Sequence, residues 1–202
     1  MENPSFIALS QQTALSRHME VLANNLANMN TPAFKAERLV FTELMKETRA
    51  LGLDDAGPMS FVQPHGTYLD LSEGVLTPTG NPLDIAISGE GFFAVQTADG
   101  TAYTRAGRFT LDATGQIVTS SGLPVLAAGG GPIRIEDGGQ ISIAADGTVS
   151  TEQGIVARLQ VVTFEDPQRL QRGPDGLYAP GDQAPVEVAA PQVVQGMIEQ
   201  SN

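Results

Sequence analysis

The chain has 202 residues, a formal net charge of −12 at neutral pH, and neither cysteine nor tryptophan. That length suits one good core, or one domain with an extension, and the missing thiols exclude disulfides and thiolate metal sites. Residues 1–50 balance five bases with five acids, while the remainder sets six bases against eighteen acids; nothing there offers nucleic acid or an anionic membrane a basic surface.

Hydrophobic residues make up 41% of the sequence, which argues against wholesale disorder. With 22 glycines and 13 prolines the chain calls for many turns, and 5% aromatics points to a core of Val, Ile, Leu and Ala. The opening stretch MENPSFIALSQQTALSRHME has no basic start and no apolar centre of signal-peptide type. No run approaches the roughly 18–20 apolar residues of a membrane span. Export, if it occurs, is expected without a cleaved classical signal.

Residues 5–29 read as a helix. Leu15, Met19, Leu22, Leu26 and Met29 are spaced four, three, four and three apart, an a/d seam about two heptads long. Phe6 and Leu9 extend it upstream, and Thr31-Pro32 stops it. Arg17, Glu20, Asn24, Asn25, Asn28 and Asn30 make the other face polar. So thin a stripe suits a partner helix, and an ordinary surface helix remains the plain alternative. Ala36–Thr48 is a second helical candidate, through Leu39, Val40, Leu44 and Met45. Residues 50–66, with Gly52, Gly57, Pro58, Pro64 and Gly66, read as a loop or extended crossing.

From Leu69 to about Ala190 the period becomes twofold. Leu83, Ile85 and Ile87 alternate with Asp84, Ala86 and Ser88, and Ile133/Ile135, Ile141/Ile143 and Ile155, Ala157, Leu159, Val161 do the same. Gly80-Asn81-Pro82, Asp99-Gly100, Thr114-Gly115, Asp137-Gly138, Asp146-Gly147 and Asp175-Gly176 punctuate them as turns. Some ten short strands with no helix between them predict an antiparallel architecture. The fold class is mainly β: an irregular antiparallel sandwich or barrel with a projecting N-terminal helical arm.

Little in the sequence suggests chemistry. His18 lies on the arm and His65 in the loop, far apart in sequence, so neither a triad nor a zinc site is expected. Gly89-Glu90-Gly91 precedes a strand (Phe92, Phe93), where a phosphate loop would open a helix; a tight turn or bulge is the better reading. The Asp-Gly pairs lack the spacing of a calcium loop. No catalytic residue, cofactor or metal is expected.

Two segments carry a resemblance. Residues 22–35, LANNLANMNTPAFK, resemble the N-terminal signature of the flagellar axial proteins, through Ala23, Asn24, Asn25, Leu26, Ala27, Asn28, Thr31, Phe34 and Lys35. Residues 72–126, from SEGVLTPTGNPLDIAISGEGFFAV to SSGLPVL, resemble the β-domain signature of the flagellar basal-body rod proteins, with Gly80, Asn81, Pro82, Leu83, Gly89, Gly91, Phe92 and Phe93 inside it. Within that family, the N-terminal stretch with SFVQPHGTYLDLSEG is most similar to the proximal rod branch; the distal branch usually carries an insertion after the first helix that is not evident here.

The resemblance implies a structural subunit, exported through the flagellar type III apparatus. Such a subunit assembles with itself and other rod subunits by terminal helices, with no nucleic-acid partner and no membrane insertion. It implies residues 1–35 as an assembly helix, 36–68 as a helix-and-loop connector, 69–190 as an all-β domain, and QGMIEQSN within 191–202 as the opening of a C-terminal helix. That helix continues for several turns in the family, so the sequence reads as a shortened form. Ala33 replaces the usual glycine before Phe34-Lys35, so the turn there is expected to differ or to be set by Pro32. A secreted β-rich binding module would explain residues 69–190 but not the heptad arm. A carbohydrate hydrolase would need two converging carboxylates in a cleft.

Overall fold

A computed structural model describes residues 3–46, 59–136 and 139–202 of the chain. They fall into two units: residues 1–29 with 35–71, and residues 30–34 with 72–202.

Among its described residues the first unit contains one helix, α1 (Asn3–Ala27), and two strands, β1 (Glu37–Lys46) and β2 (Met59–Leu69). The strands pair antiparallel from Glu37↔Leu69 to Lys46↔Met59. This corrects the helical reading of 36–48, whose last residues, 47 and 48, lie outside the described residues. Leu39, Val40, Leu44 and Met45 fit a helical stripe, but the run Val40-Phe41-Thr42 is aromatic and β-branched, which favours extended backbone once a partner strand is at hand. Residues 59–66, read as loop or crossing, supply that partner. The register slips between Val40 and Phe41, opposite Gly66 and Pro64, and a bulge there accommodates a proline that a regular ladder would reject.

The second unit is a body of short strands. In chain order they are β3 (Leu76–Pro78), β4 (Ile85–Ile87), β5 (Phe92–Thr97), β6 (Gly100–Thr104), β7 (Phe109–Leu111) and β8 (Ile117–Thr119). Next come β9 (Ser142–Ile143), β10 (Thr148–Thr151), β11 (Gly154–Arg158), β12 (Val161–Thr163) and β13 (Gln171–Arg172). The last are β14 (Leu177–Ala179), β15 (Val186–Glu187), β16 (Val193–Gln195) and β17 (Met197–Glu199). The largest sheet runs β13-β14-β6-β5-β12-β15, a three-stranded sheet runs β11-β10-β9, and β16 pairs β4, β17 pairs β3 and β7 pairs β8. Every named pairing is antiparallel, and no sheet closes into a barrel.

Residues 193–199 are therefore strand, not the opening of a helix. Gly196 sits at φ 74, a left-handed conformation that breaks the segment in two. Each half then finds a ladder, Val193↔Ile87 and Ile198↔Thr77. A helix would have forfeited both. Among the described residues no helix is long and apolar enough to cross a membrane.

The core gathers Ile85, Ile87, Phe93, Val95, Ile117, Val125, Ile133, Val149 and Leu159, with Leu83 packed at its margin. On β4 and β5 the alternation fails usefully: Ala86, Phe92 and Ala94 are buried as well. Both faces of β5 are covered, one by the aliphatic core and the other by rings. Phe92 meets Phe164 and Tyr178 edge-on at 5.9 and 5.5 Å, and Tyr103 meets Phe164 at 4.9 Å. Phe93 meets Phe109 at 5.3 Å. The expectation of a purely aliphatic core is thus corrected, because the few aromatics are concentrated where strands cross. Burial raises the Tyr103 phenol above its ordinary value.

The run Ile155–Val161 also departs from strict alternation. Ile155 pairs Ser150 while Ala157 pairs Val149, so the phase slips and Ile155 faces solvent. The Asp turns are built as read, apart from Asp137-Gly138, which lies outside the described residues. Asp112 accepts from the Gln116 and Thr114 amides at 2.8 and 2.7 Å and from the Thr114 hydroxyl at 2.8 Å. Those bonds, the Gln116 amide first, hold its carboxyl below the usual carboxylate range. The Thr148 amide does the same for Asp146.

Candidate assembly surface

The apolar seam of α1 is open. Leu15, Met19, Leu22, Leu26 and Met29 are exposed, from 50% at Leu22 to 67% at Leu26, and Leu9 continues the stripe; Met29 lies in the turn just past the helix, which ends at Ala27 instead of 29. The helix packs against both strands of its own hairpin, yet through another face: Ala14 is buried, and Val21, Asn25 and Asn28 are half-buried. Ala14, Val21 and Asn25 are one residue behind Leu15, Leu22 and Leu26, about 100° round the helix. The more polar face has docked and the more apolar face has been left uncovered. A row of large apolar side chains on one helix face is costly to leave in water, at about 1.5–3 kcal/mol per side chain relative to burial. Such a surface marks an interaction site.

The axial motif explains the docked face. The Asn25 carboxamide pairs with both backbone groups of Glu37 in the hairpin, donating Nδ2–H to the Glu37 carbonyl at 2.8 Å and accepting the Glu37 N–H at 3.1 Å. Asn28 donates to the Asn24 carbonyl and side chain at 2.9 and 3.0 Å, across the end of the helix. Ala23 and Ala27 are exposed. Thr31, Phe34 and Lys35 follow in the turn, where Phe34 N–H reaches the Thr31 carbonyl at 3.2 Å and both Phe34 and Lys35 are buried. The Arg172 guanidinium lies 4.1 Å from the Phe34 ring centroid.

Ala33 adopts φ 57. The turn is therefore the left-handed one that glycine would take, and the expectation of a different turn is overturned. Ala bears a strain of about 1–2 kcal/mol there, opposed by the 2.8 Å bond from its N–H to the Glu199 carbonyl and by burial of its methyl group.

Replacing Asn25 with Ala is expected to weaken the helix–hairpin unit by about 1–3 kcal/mol, because the Glu37 N–H and carbonyl both lose the Asn25 carboxamide. Amide exchange at Glu37 should accelerate accordingly. Asn25→Asp keeps an acceptor for the Glu37 N–H and should fall between. Unchanged exchange at Glu37 in Asn25→Ala would refute the clamp.

The β-domain motif forms turns and supports. Gly80 is left-handed at φ 75, the Asn81 side chain accepts the Leu83 N–H at 3.3 Å, and the Pro82 carbonyl accepts Gln195 Nε2–H at 2.9 Å. Gly89 and Gly91 bracket the turn before β5, and their carbonyls both receive Arg105 Nη1–H at 2.9 Å. Arg105 is the residue sequence reasoning missed. Buried with Glu199, it donates Nε–H to that carboxylate at 2.8 Å and Nη2–H to the Ile87 carbonyl at 3.1 Å. Nothing in the sequence pairs positions 94 apart.

Chemistry finds little purchase. His18 is exposed, although it shares the helix face of Ala14 and Val21, and the side chain of His65 is outside the described residues. Among the described residues no group of His, Asp and Glu gathers as a metal site. A cavity of about 380 Å³ is lined by Arg134, Glu136, Thr151, Gln153 and the edge of β11, and among the described residues Glu136 is its one carboxylate, where a glycosidase needs two.

Comparison with known proteins agrees with this geometry. Residues 7–35 match the family described as flagella basal body rod protein, and residues 86–151 match the flagellar hook protein FlgE/F/G D1 domain. The chain belongs to the flagellar basal-body rod protein family. Within it, similarity over the full chain is to rod proteins named FlgF. That of Caulobacter vibrioides is 40% identical over 100% of this chain and 83% of its own length. That of Mesorhizobium japonicum is 34% identical with the same coverage. The FlgG rod protein of Bacillus subtilis is 34% identical over 79% of this chain and 66% of its own.

Proposed function

We propose that the chain is a structural subunit of the proximal part of the flagellar rod, built into the axial shaft through α1, and that it catalyses no reaction. The observation that carries this is the uncovered seam Leu15–Met29, beside a face that already serves the chain's own hairpin. Its partners are other rod subunits and further copies of itself, and helices in such a shaft cover one another's seams. Near-neutral charge in residues 1–50 supports close packing of that segment, since like charges side by side would repel. The FlgF relatives, matched over the full chain, favour the proximal rod over the distal one. The subunit reaches the periplasm-spanning rod through the type III export apparatus. Electron microscopy of basal bodies from a deletion strain tests the reading: loss of the rod is expected, and intact rods would overturn it.

A further inference from the structure

Residues 199–202 hold together two stretches of chain that lie far apart in sequence. One is 33–34, at the edge of the helical unit in sequence, and the other is 72–75, where the chain returns from β2. The Glu199 carbonyl receives the Ala33 N–H at 2.8 Å, and the Asn202 N–H reaches the Phe34 carbonyl at 3.4 Å. On the other stretch, the Glu199 carboxylate receives the Gly74 N–H at 2.9 Å and the Gln200 N–H reaches the Val75 carbonyl at 2.9 Å. Asn202 Nδ2–H donates to the Ser72 carbonyl and hydroxyl at 3.2 and 3.1 Å. Gly74 comes so close to the Gln200 carbonyl that a Cβ could not fit. All these contacts lie inside the body unit.

A buried pin fixes this clasp to the core. The second oxygen of Glu199 takes Arg105 Nε–H, and the same guanidinium donates to Ile87, Gly89 and Gly91. A buried ion pair is weak evidence for stability as such, since desolvating two charges offsets much of their attraction. What it supplies here is position: a planar fork with several acceptors in fixed directions admits one arrangement of the segments that carry them.

We infer that Glu199 is a positioning residue for assembly, fixing with Arg105 the place where both connecting passages join the body. The inference rests on the assembly reading above. Rod growth then depends on a clasp whose loosening need not unfold the body.

Glu199→Gln in the full chain tests this. The amide keeps the shape but turns donor hydrogens toward the Gly74 N–H or Arg105. Amide exchange at Ala33, Gly74 and Gln200 should quicken at least tenfold relative to the core amides of Val125 and Ile133, and incorporation into rods should fall by a similar factor. Arg105→Lys keeps the charge and loses the fork, so it should show the same selective loosening; it carries the test if Glu199→Gln does not fold. Uniform quickening of all amides would mean that the pair merely stabilises the body, and would overturn the inference. Selective loosening with normal rods would also overturn it, leaving the rod reading intact. That reading fails separately, if disruption of the α1 seam leaves rods unaffected.

Discussion

Replacing Leu22 and Leu26 together with Asp is expected to abolish incorporation into rods while leaving the body folded. Leu22 is 50% and Leu26 67% exposed, so the chain on its own loses only the covered part of each, about 1–2.5 kcal/mol together. The poorer helix propensity of Asp adds a few tenths of a kcal/mol at each site. In an assembled seam the balance reverses. Two leucines that would each gain about 1.5–3 kcal/mol on burial are lost, and two carboxylates must be desolvated without partners, at several kcal/mol each. The sum exceeds what a subunit contact between short helices can spare. Swarming motility and the protein content of purified basal bodies report assembly, and circular dichroism with a urea melt reports the body. Normal motility would sink the assembly reading, and a collapsed melt would show that the seam belongs to the core.

The same seam shows what could be read in advance. A 3.5-residue repeat is a local signal, and so are the twofold alternation around Ile133 and the Asp turns among the described residues; each survives in the structure because neighbouring residues generate it. The errors have the opposite character. Val40-Phe41-Thr42 becomes strand because Met59–Leu69 pairs with it, and Met197-Ile198-Glu199 because Leu76–Pro78 does. Both partners lie outside any short window. The docked face of α1 was hidden likewise: Asn25 looks like a polar surface residue until the Glu37 peptide arrives. Arg105 and Glu199 are the extreme case, two charges 94 residues apart that end buried against each other.

Gly107→Ala is expected to be the most damaging single change in the body, at about 4 kcal/mol or more. Gly107 occupies no turn and is not among the left-handed glycines, so its requirement is one of space. A Cβ built there would run into the Ile85 carbonyl, with the Phe93 ring at 3.3 Å behind it. A side chain can rotate away from such a clash, but a carbonyl inside a ladder cannot. Ile85 N–H donates to the Gly107 carbonyl at 2.8 Å, and Phe109 N–H to that of Leu83 at 3.2 Å, so moving the strands apart forfeits bonds worth about 0.5–1.5 kcal/mol each. It also pulls Ile85, Phe93 and Phe109, all fully buried, out of contact, adding the roughly 1–3 kcal/mol typical of overpacked cores. Against a total stability of about 5–15 kcal/mol, the variant should unfold at a markedly lower urea concentration. Gly129→Ala is the control: no atom lies within 4 Å of its would-be Cβ and its φ is ordinary, so the change should stay within about 0.5 kcal/mol of the parent. A Gly107→Ala midpoint indistinguishable from that of Gly129→Ala would mean that β4 and the 107–109 segment are not apposed as described. The register of the whole motif from Gly80 to Phe93 would then have to be redrawn.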